Sequence, residues 1–259
     1  MVGRAAMYPW IIEQRVSARR QGLNAVDLFI APSRTACELL IRNGVDAKRI
    51  VLEPHGIEAL GRQPIPPFDG RLVRFGYVGR IAPDKGLHLI FEALDQLRDV
   101  GPFELRIVGK AQETLAQDYL DRLLAGYSGP AAIDILGYRA PDELASVLSQ
   151  IDVLIVPSLV PEAFGLTVVE AFSVGRPVIV SKSGALPELV RDGIDGFVVG
   201  RNDSHVLAER MHSLILNPSS ILALADAAPP VRSIEDYADA IERVYDSVMA
   251  KGKPAAAHL

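Results

Sequence analysis

Leu72-Val73-Arg74-Phe75-Gly76-Tyr77-Val78-Gly79-Arg80-Ile81-Ala82-Pro83-Asp84-Lys85-Gly86 is the stretch on which the fold class turns. Residues 72–78 read as a strand. Residues 86–97 read as a helix, with Leu87, Ile90, Leu94 and Leu97 on one apolar stripe. Outward from this pair the alternation continues. Strands are expected at 103–108, 132–136, 152–156, 177–180 and 196–199, with helices at 113–125, 141–149, 165–174 and 186–192 between them. The 152–156 run is almost wholly apolar, as a strand covered on both faces should be. Strand–helix alternation at this spacing implies βαβ units, hence an α/β, doubly wound, mostly parallel Rossmann-like sheet.

The flanks read differently. Residues 1–60 hold a strand at 27–31, a helix from Ser33 and a strand at 50–53, too little for a good independent domain and read as the remnant of another one. Residues 61–68, with Pro64, Pro66 and Pro67, read as a linker. The α/β domain then spans 69–232. A helix at 233–250 carries an apolar stripe of Tyr237, Ile241, Val244 and Val248, and 251–259 reads as a disordered tail.

Composition narrows the function classes. The 259 residues are 49% hydrophobic and 23% charged with a formal net charge of −5, which excludes a mainly disordered chain and a basic nucleic-acid coat. A single cysteine, Cys37, cannot form an internal disulfide, so a reducing compartment and a cytoplasmic location are expected; the thiol itself reads as a small buried hydrophobe. No apolar run approaches the roughly 20 residues of a membrane span, and residues 1–16 lack the apolar core of a signal peptide. Trp10-Ile11-Ile12, followed by Arg15, Arg19 and Arg20, has some membrane-surface character, although packing on a neighbouring domain is the better reading. The histidines show no metal-ligand spacing, and His88 reads as a packing or surface residue.

Two loops carry candidate chemistry. The first, Gly79–Gly86, leaves a strand's carboxyl end and enters a helix, where free N–H groups and the helix dipole gather. Arg80 and Lys85 add two cations suited to a diphosphate. It is neither a P-loop nor a GxGxxG turn. The second loop, Pro161-Glu162-Ala163-Phe164-Gly165-Leu166, follows the buried strand 152–156 and leads to Glu170, a carboxylate in an otherwise apolar helix. N–H groups there suit a phosphate, while Glu162 and Glu170 suit sugar hydroxyls. A 3-2-1-4 strand order places both loops side by side at the switch point. Cations for a diphosphate and carboxylates for hydroxyls together describe a nucleotide sugar.

Taken in order, Gly79-Arg80…Lys85-Gly86, Ile107-Val108-Gly109, Leu136-Gly137-Tyr138, Val156-Pro157-Ser158, Glu162-x7-Glu170, Gly175-Arg176-Pro177-Val178 and Gly184-Ala185…Glu188…Gly193…Gly196 resemble the carboxyl-terminal, donor-binding half of a GT-B glycosyltransferase of the large retaining family four. The resemblance implies that Arg80 and Lys85 contact the donor diphosphate, with Gly79 in the same loop. It implies that Glu162 binds donor-sugar hydroxyls and that Glu170 binds the ribose. Phe164, Gly165 and Leu166 would offer backbone contacts, and Gly109, Gly137, Tyr138 and Arg139 would border the base. Arg80, Lys85 and Glu162 are then the catalytic group. The reaction implied is front-side transfer with retention, needing no metal and no cofactor, to an acceptor hydroxyl whose identity is not legible.

The chain also departs from that pattern. The family's glycine-rich loop and catalytic-site histidine are not found upstream of residue 27, and Pro54-His55-Gly56 stands where Pro-Asn-Gly is usual. Gly109-Lys110-Ala111 replaces a more acidic, glycine-rich turn, and Ala185 replaces a glycine. An absent amino-terminal acceptor domain is therefore an expected partner. Alternatives are a nucleotide-sugar-binding module without transfer activity and, more remotely, a nucleotide-sugar epimerase. A glycosidase would leave Arg80 and Lys85 idle.

Overall fold

The computed structural model of the chain describes Gln14, Ser17, Ala18 and residues 21–252 apart from 101, 112 and 113. The Trp10 patch and residues 253–259 lie outside the described residues. The chain divides into two compact units, one made from its two ends, up to His55 and from Glu235 onward, the other running from Gly56 to Ile234.

In the first unit β1 (Phe29–Ala31) is followed by α1 (Arg34–Arg42) and β2 (Ile50–Leu52). The two strands pair in parallel, Phe29 opposite Ile50. Ser33 caps α1, its hydroxyl accepting the Ala36 N–H at 3.0 Å, which is why the helix starts where the sequence suggests. No residue of α1 is buried, and Cys37 is half-buried rather than enclosed as expected.

The second unit is a sheet of six parallel strands with helices on both faces. Along the chain run β3 (Arg74–Val78), α2 (Leu87–Gln96), β4 (Glu104–Val108), α3 (Thr114–Gly126), β5 (Ala132–Gly137), α4 (Leu144–Ser149), β6 (Val153–Val156), α5 (Leu166–Ser173), β7 (Val178–Ser181), α6 (Leu186–Leu189), β8 (Gly196–Val199), α7 (Ser204–Leu216) and α8 (Ser219–Asp226). The first unit takes the last helix, α9 (Ile234–Gly252), from its second residue on; there the Tyr237 ring meets the His55 ring edge-on at 5.3 Å. The strand order is β5-β4-β3-β6-β7-β8, all parallel, as the α/β reading requires. The chain reverses its direction of winding between β3 and β6, so their carboxyl ends flank the switch point.

Alternation along the central strands fills two cores. Val153 and Ile155 of β6 and Ile179 of β7 join Leu87, Ile90 and Leu94 of α2 on one face. Leu154, Val178 and Val180 join Val168, Ala171 and Phe172 of α5 on the other. A period of two in buried strands thus produces two apolar layers from one sheet.

The helix expected at 186–192 ends at Leu189. Asp195 is fully buried and accepts the Arg191 N–H at 2.8 Å, while Asp192 accepts the Val198 N–H at 2.9 Å. These carboxylates draw the segment into a loop in preference to a second helical turn.

Two buried charges fix the sheet's amino-terminal edge. Asp152 receives Arg71 at 2.8 Å and Arg74 at 3.1 Å as well as the Arg74 N–H at 2.9 Å. Arg176, only 1% exposed, faces carbonyls: Ile151 at 2.8 Å, Gln63 at 2.7 Å, and Val174 and Ser149 at 3.1 Å. Burial pulls its guanidinium pKa down to about 10. These bonds, with Gln63 N–H to the Val174 carbonyl at 3.1 Å, fasten the proline-rich 61–68 stretch to the rest of the second unit. Proline removes donors but leaves carbonyls free to accept, and the arginine uses them.

Candidate functional site

At the carboxyl edge, the loop after β3 is held from below. Buried Tyr77 donates its hydroxyl to the Arg80 carbonyl at 2.7 Å, and burial raises the phenol's pKa. A single 3-10 turn, Pro83–Lys85, then turns the chain into α2 through Gly86. Gly86 has φ +76°, and a Cβ there would lie 2.0 Å from the Pro157 carbonyl oxygen, so the loops after β3 and β6 touch backbone to backbone. The Leu159 N–H donates to the Asp84 carbonyl at 2.9 Å across the same junction.

That contact brings together two of the expected site residues. Lys85 Nζ lies 2.7 Å from Glu162 Oε1, although the residues are 77 apart in sequence. Ser158 donates its hydroxyl to the same oxygen at 2.7 Å. Glu162 Oε2 bonds to no described residue. A third loop completes the junction: the Ala185 N–H donates to the Glu162 carbonyl at 2.8 Å, and a Cβ on Gly184 would lie 2.2 Å from that oxygen.

The other expected residues are placed around this pair. Arg80 faces Asp84 at 2.7 Å. Gly165 begins α5 without a side-chain cap, and among the described residues the N–H groups of Gly165, Leu166 and Thr167 reach no acceptor. Glu170 lies one turn into α5, on the face of Leu166 and Thr167. Its carboxyl is half-buried, bonds to no described residue and titrates above the usual range because burial disfavours its charge. Gly109, Gly137 and Tyr138 line one cavity of about 570 Å³ together with Ile81 and Lys110. Tyr138 is 66% exposed there. Arg139 does not line this cavity; its guanidinium turns 3.6 Å from Glu143 instead. Phe164 is buried beside Ile57 and Val169, so its side chain is turned into the core.

One expectation changes. At the N-terminus of α2, expected as an anion seat, Tyr119 from α3 takes one of the N–H groups, its hydroxyl accepting the His88 N–H at 2.8 Å and bonding His88 Nδ1 at the same distance. Desolvation pushes the Tyr119 pKa up to about 12, so the phenol stays neutral. The open positive end belongs to α5, where three N–H groups and the dipole converge. Sequence reasoning assigned no role to Tyr77, Tyr119, Asp84 or Ser158; the one available signal was a serine directly following the buried strand in Val156-Pro157-Ser158.

A family model described as glycosyl transferases group 1 matches residues 63–231, well over half the chain. The chain belongs to the glycosyl transferases group 1 family. Among its relatives, a D-inositol 3-phosphate glycosyltransferase of Streptomyces bingchenggensis is 30% identical over 236 residues, covering 83% of this chain and 50% of that protein. The lipopolysaccharide 1,2-N-acetylglucosaminetransferase of Salmonella typhimurium is 32% identical over 167 residues, covering 56% of this chain and 44% of that one. The group 1 chain spans about half the length of the curated relatives it matches. Among solved structures, Anabaena Alr3699/HepE in complex with UDP superposes with a TM-score of 0.75 at 25% identity, over 86% of this chain and 64% of that one. The same protein in complex with UDP-glucose gives a TM-score of 0.78 at 23% identity, over 90% and 68%. The α/β, Rossmann-like architecture of this group 1 chain is thus that of GT-B glycosyltransferase structures.

Proposed function

We propose that this chain is the donor-binding, carboxyl-terminal half of a retaining, metal-independent GT-B glycosyltransferase of family four. The observation that carries this reading is the 2.7 Å Lys85–Glu162 contact at the switch point, beside the uncapped start of α5. A diphosphate sits on the open N–H groups of α5 with Lys85 and Arg80 as counter-charges. The nucleoside base enters the cavity bordered by Gly79's neighbour strands at Gly109, Gly137 and Tyr138, and Glu170 takes the ribose hydroxyls. Glu162 receives hydroxyls of the sugar, a hexose in keeping with a relative named for N-acetylglucosamine transfer and a neighbour crystallised with UDP-glucose.

In the reaction, the bond between the anomeric carbon and the diphosphate oxygen breaks while an acceptor hydroxyl attacks from the same face. The hydroxyl proton passes to the departing phosphate oxygen. Lys85 and Arg80 then stabilise charge that grows on the leaving group, and the loops hold the reactants in place. The acceptor is an alcohol presented by a partner domain, and the cytoplasm is the compartment in which we place the reaction.

Thermal denaturation of the purified chain with UDP, GDP and ADP, and with UDP-glucose, UDP-N-acetylglucosamine and GDP-mannose, tests the reading. At least one diphosphate should raise Tm, and Lys85→Ala should abolish the rise. Melting unchanged by all three diphosphates refutes it. Transfer to a soluble sugar acceptor by the isolated chain separates a complete enzyme from a donor-binding module.

A further inference from the structure

We propose that Ser158 and Ser183 are positioning residues that lock the Glu162 carboxylate into one orientation, presenting Oε2 alone to a donor-sugar hydroxyl. The inference rests on the reading of Glu162 as the sugar-binding group and names what sets its geometry. All three participating serines are buried: Ser158 and Ser181 are 1% exposed and Ser183 is 2% exposed. They come from two neighbouring strand exits, since Val156 of β6 pairs with Val180 of β7.

The argument is one of proton counting. A serine hydroxyl has one proton to donate. Ser158 Oγ stands 2.7 Å from Glu162 Oε1 and 3.1 Å from the Val160 carbonyl. Left alone, it would divide its proton between a carboxylate and the carbonyl two residues along. Ser183 weakens the competition by donating its own hydroxyl to the Val160 carbonyl at 2.7 Å, a shorter contact than that of Ser158. Ser181 fixes the backbone beneath, donating to the Ser158 carbonyl at 2.6 Å. With the shorter contact and the charged acceptor both favouring it, Glu162 Oε1 takes the Ser158 proton, and it also takes Lys85 Nζ at 2.7 Å. Two donors from different directions saturate that oxygen and stop the carboxylate rotating. Oε2 remains as the fixed acceptor.

A brace of this kind acts on sugar recognition and not on diphosphate binding, which separates it from a merely structural role. Isothermal titration of the full chain with the nucleotide sugar that wild type binds best, and with its parent diphosphate, gives the ratio of the two affinities. Ser158→Ala should lower that ratio about tenfold, the scale of one hydrogen bond to a charged group, and change diphosphate affinity less than about twofold. Ser183→Ala should lower the ratio by a smaller factor, and the double variant should match Ser158→Ala, because Ser183 acts through Ser158. Additive effects of the two substitutions, or a ratio unchanged in Ser158→Ala, overturn the proposal. Crystals of the ligand-free variants provide a readout that needs no sugar. In Ser183→Ala the Ser158 hydroxyl should turn toward the Val160 carbonyl and the Glu162 carboxylate should rotate. If wild type shows no preference for a sugar over its diphosphate, the sugar-binding reading of Glu162 fails while the crystals still decide the brace; an unmoved carboxylate in both variants overturns it.

Discussion

Glu162→Gln is the perturbation that best separates a ligand-exchange ion pair from a structural one. Lys85 is engaged by Glu162 at 2.7 Å, so a diphosphate reaching Lys85 must approach a carboxylate as well as a cation. A phosphate oxygen at hydrogen-bond distance from Nζ lies within about 5.5 Å of Glu162 Oε1. At that separation one pair of like charges repels by roughly 3 kcal/mol at an effective dielectric of ~20, and by under 1 kcal/mol in bulk water. The side chains are 28% and 22% exposed, partly wet, so about 1 kcal/mol is the reasonable figure, or about fivefold in affinity. Replacing the carboxylate with an amide of the same shape should therefore tighten binding of the bare diphosphate about fivefold, while Lys85→Ala weakens it.

The nucleotide sugar should respond in the opposite sense to Glu162→Gln, because a charge-assisted bond to the sugar hydroxyl is lost as the repulsion is relieved. Titration calorimetry with diphosphate and nucleotide sugar in parallel reads both effects. The gain for the diphosphate should shrink on going from about 0.05 M to about 0.5 M salt, since exposed charges are screened over shorter distances. If Glu162→Gln weakens diphosphate binding as much as Lys85→Ala does, the pair is part of the diphosphate seat or of the fold, and the exchange argument is wrong.

Glu170→Gln should raise Tm at pH 7. Burial lifts the folded-state pKa of this carboxyl above its ordinary 4.5, so the folded form is penalised once pH exceeds the unfolded value, and the advantage of the variant should vanish as pH falls below that value. A lower Tm for the variant at pH 7 contradicts this. Arg176→Met should lower unfolding stability by about 3 kcal/mol or more in urea, because it orphans several buried carbonyls at once. Tyr119→Phe should cost about 1 kcal/mol of stability through the freed His88 N–H, yet leave diphosphate affinity unchanged within about twofold. A large gain in affinity would show that the start of α2, and not that of α5, is the anion seat.

What could be read from the chain follows physical range. The strands are legible because apolar runs such as 152–156 encode burial on both faces locally, and the observed six-strand order contains the 3-2-1-4 order taken for the first four strands. Lys85 and Glu162 were legible for a related reason: each ends a strand exit, and the strand order brings those exits together. The misread features depend on which side chain arrives first at a shared partner. Tyr119 reaches the start of α2 from 31 residues away, and Arg139 finds Glu143 within its own turn. Asp195 shortens α6 by claiming the Arg191 N–H. No pattern of hydrophobicity records such competitions, since hydroxyls and carboxylates choose among acceptors and donors only once the backbone is in place.

The two ends of β6 show what the protein does with a carboxylate when satisfaction is the aim. At the amino end, Asp152 spreads five hydrogen bonds over both oxygens, two from Arg71 and three from Arg74, and is sealed from solvent. Past the carboxyl end, among the described residues, Glu162 has both of its bonds on Oε1 and none on Oε2, and Glu170 has none on either oxygen while its charged form is disfavoured by burial. Unlike Asp152, both carboxylates keep access to solvent, so their oxygens are open to a donor from outside the chain. On the proposed function, sugar hydroxyls meet these oxygens while the neighbouring uncapped N–H groups of α5 favour negative charge on the same ligand. Hydroxyls beside an anion, rather than an anion alone, is the ligand chemistry that the proposed function matches to both features.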